Sequence, residues 1–529
     1  MGPPFQVKSY SIDMLRRILS EKAGTPQETV DRKTHSVYFE SYFKELKART
    51  ILIENDYVDR DFLEDFAGYY VRCFHEYRRW CTRLHFFNRD FTQDDMDTFL
   101  RGSTVELTVD ALQESYLGFV VVKPLPQTVI GRTCLRTYDT DSEHGRREYP
   151  VKRTYKANLY GIPLEVETLA FQEQDRVVAA CATSALWSAF HGTGKLFQHA
   201  IPSPVEITKA ATAILPLETR SFPNPGLTAA QMAQGIRNVG LEPLMVAVPG
   251  YFSLRTILYA YLRGRIPVIM TVVLYDLSGS RPQRMGLHAV TVTGYGLIRD
   301  TPKSLVETGF VSRACRIDRI YAHDDQVGPY ARMKLDGIDV HLEINGNPCA
   351  FPSLSTSWKN RCGQLDRVRA IPEAIFVPLY HKIRIKFSTV RDQVIHFDAC
   401  LESLRSEGKL RCAERIVWDL YLIDVRTLKS ELFSSKDFSG DSRRAVLLRG
   451  LPRFLWRGTA LSANKPVFDL LFDATDIEQG KRFVRAIEYD PVFCAVVRAT
   501  ASSPALQGDT HAEACRAILE WFKNPNGTC

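Results

Sequence analysis

"FQEQDRVVAACATSALWSAF", residues 171–190, contains the residue on which the reading of this chain turns. Cys181 stands where an apolar run gives way to Ala182, Ala185, Leu186, Ala189 and Phe190, spaced as one face of a helix. The pattern predicts a helix beginning near Cys181. A helix start offers unpaired N–H groups and the positive end of the backbone dipole, a setting that favours a thiolate. A thiol nucleophile further requires a base, and the base a group to orient it. A cysteine on its own is more often a buried structural residue.

The partners are sought downstream. "SLRTILYAYLRGRIPVIMTVVLYDLSGSRPQRMGLHAVTVTGYG", 253–296, reads as an amphipathic helix closed by Gly264, a buried strand "PVIMTVVLY", a loop, and a second strand headed by His288. The alternating run "HAVTVTGYG" is expected to end in a turn at Gly294 and Gly296. "RIYAHDDQVGPYARM", 319–333, is a strand running into two adjacent carboxylates, Asp324 and Asp325. The order is thus a thiol on a helix, an imidazole on a strand and a carboxylate at the end of the next strand. Along a persisting strand only one of two adjacent side chains can face the imidazole.

This order resembles the papain-like cysteine peptidases, closest to the bacterial bacteriocin-processing branch. The resemblance rests on "QEQDRVVAACATSALW", "LTAAQMAQGIRNVGL", "YLRGRIPVIMTVV" and "HAVTVTGYG" followed by "IYAHDDQVGPY", and covers about a third of the chain, residues 171–340. It implies that Cys181 is the nucleophile, His288 the general base and Asp324 the group that orients the imidazole, with Asp325 where the family often has proline. The family's oxyanion glutamine usually lies six residues before the cysteine. Position 175 here is aspartate, so Gln174 takes that role in the resemblance, because a carboxylate donates to an oxyanion only when protonated. The His288-to-Asp324 interval is longer than in that branch, and "LIRDTPKSLVETGFVSRACR", 297–316, is expected to form a hairpin or flap near the site.

The expected fold class is α+β: a papain-like core at 171–385, an N-terminal helical region at 1–100, a small β-rich segment at 101–170 and a C-terminal α/β module at 386–529. The helical expectation for 36–90 rests on Phe62, Phe66, Tyr69, Tyr70, Cys73, Phe74 and Tyr77, which recur at intervals of three and four. The strands "YLGFVVVKPLP", "VIGRTCLRTY" and "YGIPLEVETLAF" carry the β-rich segment. In the C-terminal module "RIVWDLYLIDV", "AVLLRGL" and "VFDLLFDAT" read as strands and "AEACRAILEWFKN" as a helix.

With 529 residues, 45% hydrophobic and 24% charged, the chain has an ordinary multidomain globular composition. No run approaches the roughly 20 apolar residues of a membrane span, and the N-terminus lacks the design of a signal peptide, so a cytoplasmic location is expected. A net charge of +7 without basic runs argues against nucleic-acid binding. Twelve scattered cysteines, with no C-x-x-C pair and no His/Cys cluster at zinc-finger spacing, read as free thiols; no metal or cofactor is expected. The expected activity is cysteine-type hydrolysis of a peptide bond in a protein or peptide partner. The large flanks suit a regulated bacterial stress or defence effector with an activating protein partner. The alternatives are an acyltransferase or deamidase on the same scaffold, and a catalytically silent peptidase-like binding platform.

Overall fold

A computed structural model of the chain describes residues 3–524 apart from 104–105, 144, 176, 214–225, 336, 411–413, 437, 477–481 and 502–509. The class is mixed α+β, and the chain divides into two compact units. The first comprises Met1–Val248, Arg265–Gly296 and Asp318–Pro378, and the second Pro249–Gly264, Leu297–Ile317 and Leu379–Cys529. Among the described residues no helix is long and apolar enough to cross a membrane.

The N-terminal region departs from the helical expectation. Its helix Thr34–Glu45 forms, but Thr50–Tyr57 and Cys81–Phe87 are strands of a five-stranded antiparallel sheet. That sheet runs Phe5–Ser9, Thr50–Tyr57, Cys81–Phe87, Tyr116–Val122, Ile130–Leu135, so its strands cross the boundary expected at 100. The runs "TILIENDY" and "CTRLHFF" are rich in β-branched and aromatic side chains, which fit a pleated surface. The aromatic stripe that suggested one long helix is helical only over Arg60–Gly68, followed by a single 3₁₀ turn at Tyr70–Arg72.

The second sheet of the first unit carries the site. Its main path is Leu241–Ala247, Val368–Tyr380, Val268–Asp276, Gln283–Ile298, Ile317–Asp324, Gly328–Lys334. The helix Cys181–Phe197 is held to the sheet by its small residues: Ala182, Ala185 and Ala189 are buried, and Thr291 Oγ1 donates to the Ala185 carbonyl at 2.6 Å. Trp187, fully buried on this helix, donates its indole N–H to Asp61 at 3.2 Å. The His288 strand does not turn at its glycines. A Cβ at Gly294 would lie 2.4 Å from the Glu148 carbonyl oxygen, and one at Gly296 would lie 2.8 Å from the Arg319 side chain, so both glycines admit close neighbours to a continuing strand.

In the second unit, Val311–Ser312, Val417–Asp424, Phe454–Ser462, Lys465–Asp473 and Phe483–Glu488 form a sheet in that order, the first pair parallel and the others antiparallel. Two parts of the expected peptidase domain belong here. The helix Tyr251–Arg263 buries Leu254, Leu258 and Leu262, and Tyr259 donates its hydroxyl to Asp419 at 2.7 Å. The segment 297–316, expected as a hairpin or flap near the site, is instead built into this unit: Val311–Ser312 is an edge of its sheet, and Arg313 pairs with Asp419 at 3.3 Å. "AVLLRGL" is also corrected. It lies mostly in the helix Gly440–Leu448, where Val446 is buried and Leu448 exposed.

Gly328 ties the fold to the site, because it follows the turn that presents the carboxylates. Its φ is +149°, and a Cβ there would lie 2.4 Å from the Tyr38 ring, which is held by hydrogen bonds to Tyr138 and the Pro329 carbonyl. Gly328→Ala is expected to cost on the order of 2–4 kcal/mol. Gly346→Ala, at φ +79° with open space around it, should cost about 1 kcal/mol. Chemical denaturation of both variants measures the difference; equal losses would contradict the packing described here.

Candidate active site

The helix Cys181–Phe197 begins with the cysteine itself. Its N-cap, Ala180, has no side chain able to cap, so the first-turn N–H groups beside the sulfur carry no side-chain cap. The preceding turn is shaped by Asp175, whose carboxylate accepts from the N–H groups of Val177 (2.8 Å) and Val178 (3.2 Å) and from the Tyr70 hydroxyl. Position 175 is therefore spent on structure. Gln174 is half-buried in the same turn and, among the described residues, is not part of the cavity that Cys181 and His288 line. The setting the structure gives the sulfur is this uncapped helix start.

His288 lies opposite Val272 in the sheet, and the Asp324 strand is its other neighbour. Adjacent strands thus bring the imidazole and the carboxylate side by side. His288 Nε2 is 3.1 Å from Asp324 Oδ1 and hydrogen-bonds to it. His288 also makes a side-chain hydrogen bond with Cys181, and the Gln326 amide is 3.4 Å from Nδ1. Cys181, His288 and Asp324 are brought together in the order thiol, imidazole, carboxylate.

Asp324 is held from three directions. Oδ1 also accepts the Gln326 N–H at 2.9 Å, and Oδ2 accepts the Trp358 indole N–H at 2.8 Å. The Trp358 ring stands perpendicular to the imidazole, at 89° with centroids 6.5 Å apart. Sequence reasoning missed Gln326 and Trp358. Gln326 sits two residues past Asp324 and was open to notice as a turn residue; Trp358 is 34 residues away, with no local pattern linking it to the site.

The strand does not persist past Asp324. Pairing with Gly328–Lys334 shifts register between Ala322 and Asp324, Asp324 pairs with Gly328, and the Val327 N–H closes a turn on the Asp324 carbonyl at 3.1 Å. Alternation ends there, and Asp325 also turns inward, its Oδ1 3.8 Å from His288 Nε2. Both Asp325 oxygens are buried without a hydrogen-bond partner among the described residues.

The charges follow from burial and proximity. Burial alone would pull the His288 pKa down, but the charges of Asp324 and Asp325 and the ring's hydrogen bonds with Asp324 and Cys181 hold it well above its usual value. Burial would raise Asp324, yet the charge of His288 and the bonds from His288, Gln326 and Trp358 hold it below the ordinary carboxylate range. Asp325 is pushed up to about 7: burial dominates, His288 offsets part of it, and the negative charge of Asp324 adds to it. His288, Asp324 and Asp325 also have candidate metal-ligand atoms within 4.8 Å of one another. Both Asp324 oxygens and His288 Nε2 are already committed to hydrogen bonds, the arrangement of an oriented imidazole.

Beside Cys181 and His288 opens a cavity of about 570 Å³. Leu227, Met232, Met245, Leu287 and Phe376 give it an apolar wall, and Glu373 is the one acidic residue among its described lining. Met245 and Leu287 are 60% and 61% exposed at its edge. No protein-family model matches this chain, and no curated protein matches it.

Two outcomes follow. Asp324→Asn is expected to slow covalent labelling of Cys181 by a thiol-reactive peptidase probe by roughly two to four orders of magnitude, whereas Asp325→Asn remains within about tenfold of the parent. The reverse ranking would assign the orienting role to Asp325. Asp325 also predicts a pH-dependent stability. Its folded pKa lies above its ordinary 3.8, so the folded state binds the extra proton and loses stability as pH rises from about 4 to 7. Asp325→Asn removes that loss. It should leave stability nearly unchanged at pH 4 and raise it at pH 8 by on the order of 2–4 kcal/mol, measured by denaturant unfolding.

Proposed function

We propose that this protein is a cysteine-type peptidase with a papain-like arrangement, hydrolysing an amide bond in a protein or peptide. The observation that carries this reading is the buried imidazole between Cys181 and Asp324, with the sulfur at an uncapped helix start. His288 takes the thiol proton at Nδ1 while Asp324 holds Nε2–H, giving a thiolate–imidazolium pair. The thiolate attacks the carbonyl carbon, and the oxyanion faces the N–H groups of the helix start. Collapse of this adduct forms the acyl-enzyme and expels the amine, which takes its proton from His288. His288 then removes a proton from water, the hydroxide attacks the thioester, and the carboxylic acid leaves with Cys181 restored.

The wall formed by Leu227, Met232, Met245, Leu287 and Phe376 suits an apolar side chain next to the scissile bond. An acyl acceptor other than water, or a glutamine side chain as the acyl donor, would use the same residues, and the products distinguish these outcomes.

The test is incubation with a complex peptide library and mass-spectrometric mapping of new termini. New N-termini flanked by apolar residues are expected with the parent protein. Cys181→Ala and His288→Ala should each abolish them while shifting the melting temperature by only a few degrees. Undiminished cleavage by Cys181→Ala would refute the reading, and glutamine-to-glutamate conversion without new termini would replace it with deamidation.

A further inference from the structure

The strand Val368–Tyr380 brings Glu373 to the cavity beside Cys181. Its run "RAIPEAIF", 369–376, places Pro372 inside the sheet, between Leu241–Ala247 and Val268–Asp276, where a proline has no N–H to give the ladder. The ladder breaks at that point. Thr271 pairs with Ala374 and Val272 with Pro372, so Glu373 is the extra residue of a β-bulge. Strict alternation would set Glu373 on the face opposite Ala374 and Phe376; with the bulge all three line the same cavity. Glu373 is exposed, and its carboxylate has no hydrogen-bond or ion-pair partner among the described residues. The described lining contains no lysine or arginine to neutralise it.

Resting on the peptidase reading, we propose that Glu373 is a specificity-determining residue that selects a lysine or arginine of the substrate, about three residues from the scissile bond. An unpaired carboxylate beside an apolar wall calls for a cation on an aliphatic stem. Lys and Arg have that form: their methylene chains cover apolar surface while the charged head stays at the rim. Met245 and Leu287, exposed at the cavity edge, offer the surface, and Glu373 offers the counter-charge. The position of the basic residue follows from the ladder. Val272 pairs with His288 on one side and with Pro372 on the other, so the bulge lies two strand spacings, about 10 Å, from the His288 backbone. An extended peptide advances about 3.3 Å per residue, so a side chain paired with Glu373 belongs to a residue about three positions from the bond held at Cys181. The substrate class is thus a peptide with an apolar residue at the scissile bond and a basic one a fixed short distance away. A bound peptide covers the ion pair, and lost water strengthens it.

The test has two readouts on the full chain, one of which needs no cleavage. In the first, a random-sequence peptide library is digested with the parent, Glu373→Gln and Glu373→Lys, and the cleavage sites are mapped. The side chain is exposed, so both variants are expected to fold, which their melting temperatures check. Parent sites should be enriched in Lys or Arg at one fixed position, and kcat/KM should fall by about tenfold when that residue is replaced by glutamine. Glu373→Gln should lose the preference, and Glu373→Lys should turn it toward Asp and Glu. In the second readout, immobilised Cys181→Ala protein, with Glu373 intact or changed to Gln, is equilibrated with the same library. Retained peptides should be enriched in Lys and Arg only where Glu373 is present. Cleavage without the basic preference, or a preference that survives in either Glu373 variant, would overturn the assignment of Glu373 and leave the peptidase reading standing. Glu373-dependent retention of basic peptides with no cleavage by the parent would do the opposite. Neither cleavage nor selective retention would overturn both.

Discussion

The buried hydrogen bond from His288 to Asp324 is the interaction on which the candidate site depends. An imidazolium removed from water is unfavourable by several kcal/mol unless a paired charge and hydrogen bonds offset that cost. Asp324 supplies the charge, and Trp358 and the Gln326 N–H fix the carboxylate in place. Nε2 is committed to Asp324, and the same ring hydrogen-bonds with Cys181. The second carboxylate follows from the same electrostatics. Two negative charges next to one buried cation are one too many, and the unbonded one, Asp325, is the group whose pKa is raised.

The fold prepares this arrangement through local devices. Adjacent strands set His288 beside Asp324, and the register shift at Ala322 and Asp324 ends the alternation that would otherwise turn Asp325 away. Small residues on the Cys181 helix let it lie close to the sheet, and Asp175 organises the turn before it. The price of this precision is a tight backbone at Gly328, where the Tyr38 ring leaves no room for a side chain.

Much of the site was legible because its residues mark the ends of strongly patterned runs. Cys181 opens a helix and Asp324 closes a strand, as their spacing implied, whereas His288, expected to head its strand, is the sixth residue of Gln283–Ile298, which begins within the segment read as a loop. The N-terminal region misled because aromatic residues at intervals of three and four continue past Gly68, where the helix ends and a 3₁₀ turn begins. Gln174 carried a role from the resemblance alone, and the turn built by Asp175 leaves it outside the cavity. Trp358 was invisible because no periodicity links it to Asp324.

The most direct test uses the protein's other cysteines as internal controls. Among the described cysteines Cys362 is exposed, and Cys73 and Cys349 are half-buried like Cys181, so accessibility alone would place Cys362 first of these in reactivity. Brief treatment of the native protein with limiting iodoacetamide at neutral pH, followed by peptide mapping, ranks the thiols in one experiment. If His288, held by Asp324, activates Cys181, carboxamidomethylation will appear first and predominantly at Cys181, and that preference will vanish in His288→Ala. A ranking that follows exposure, with Cys362 ahead and Cys181 indistinguishable from Cys73 and Cys349, would contradict the account.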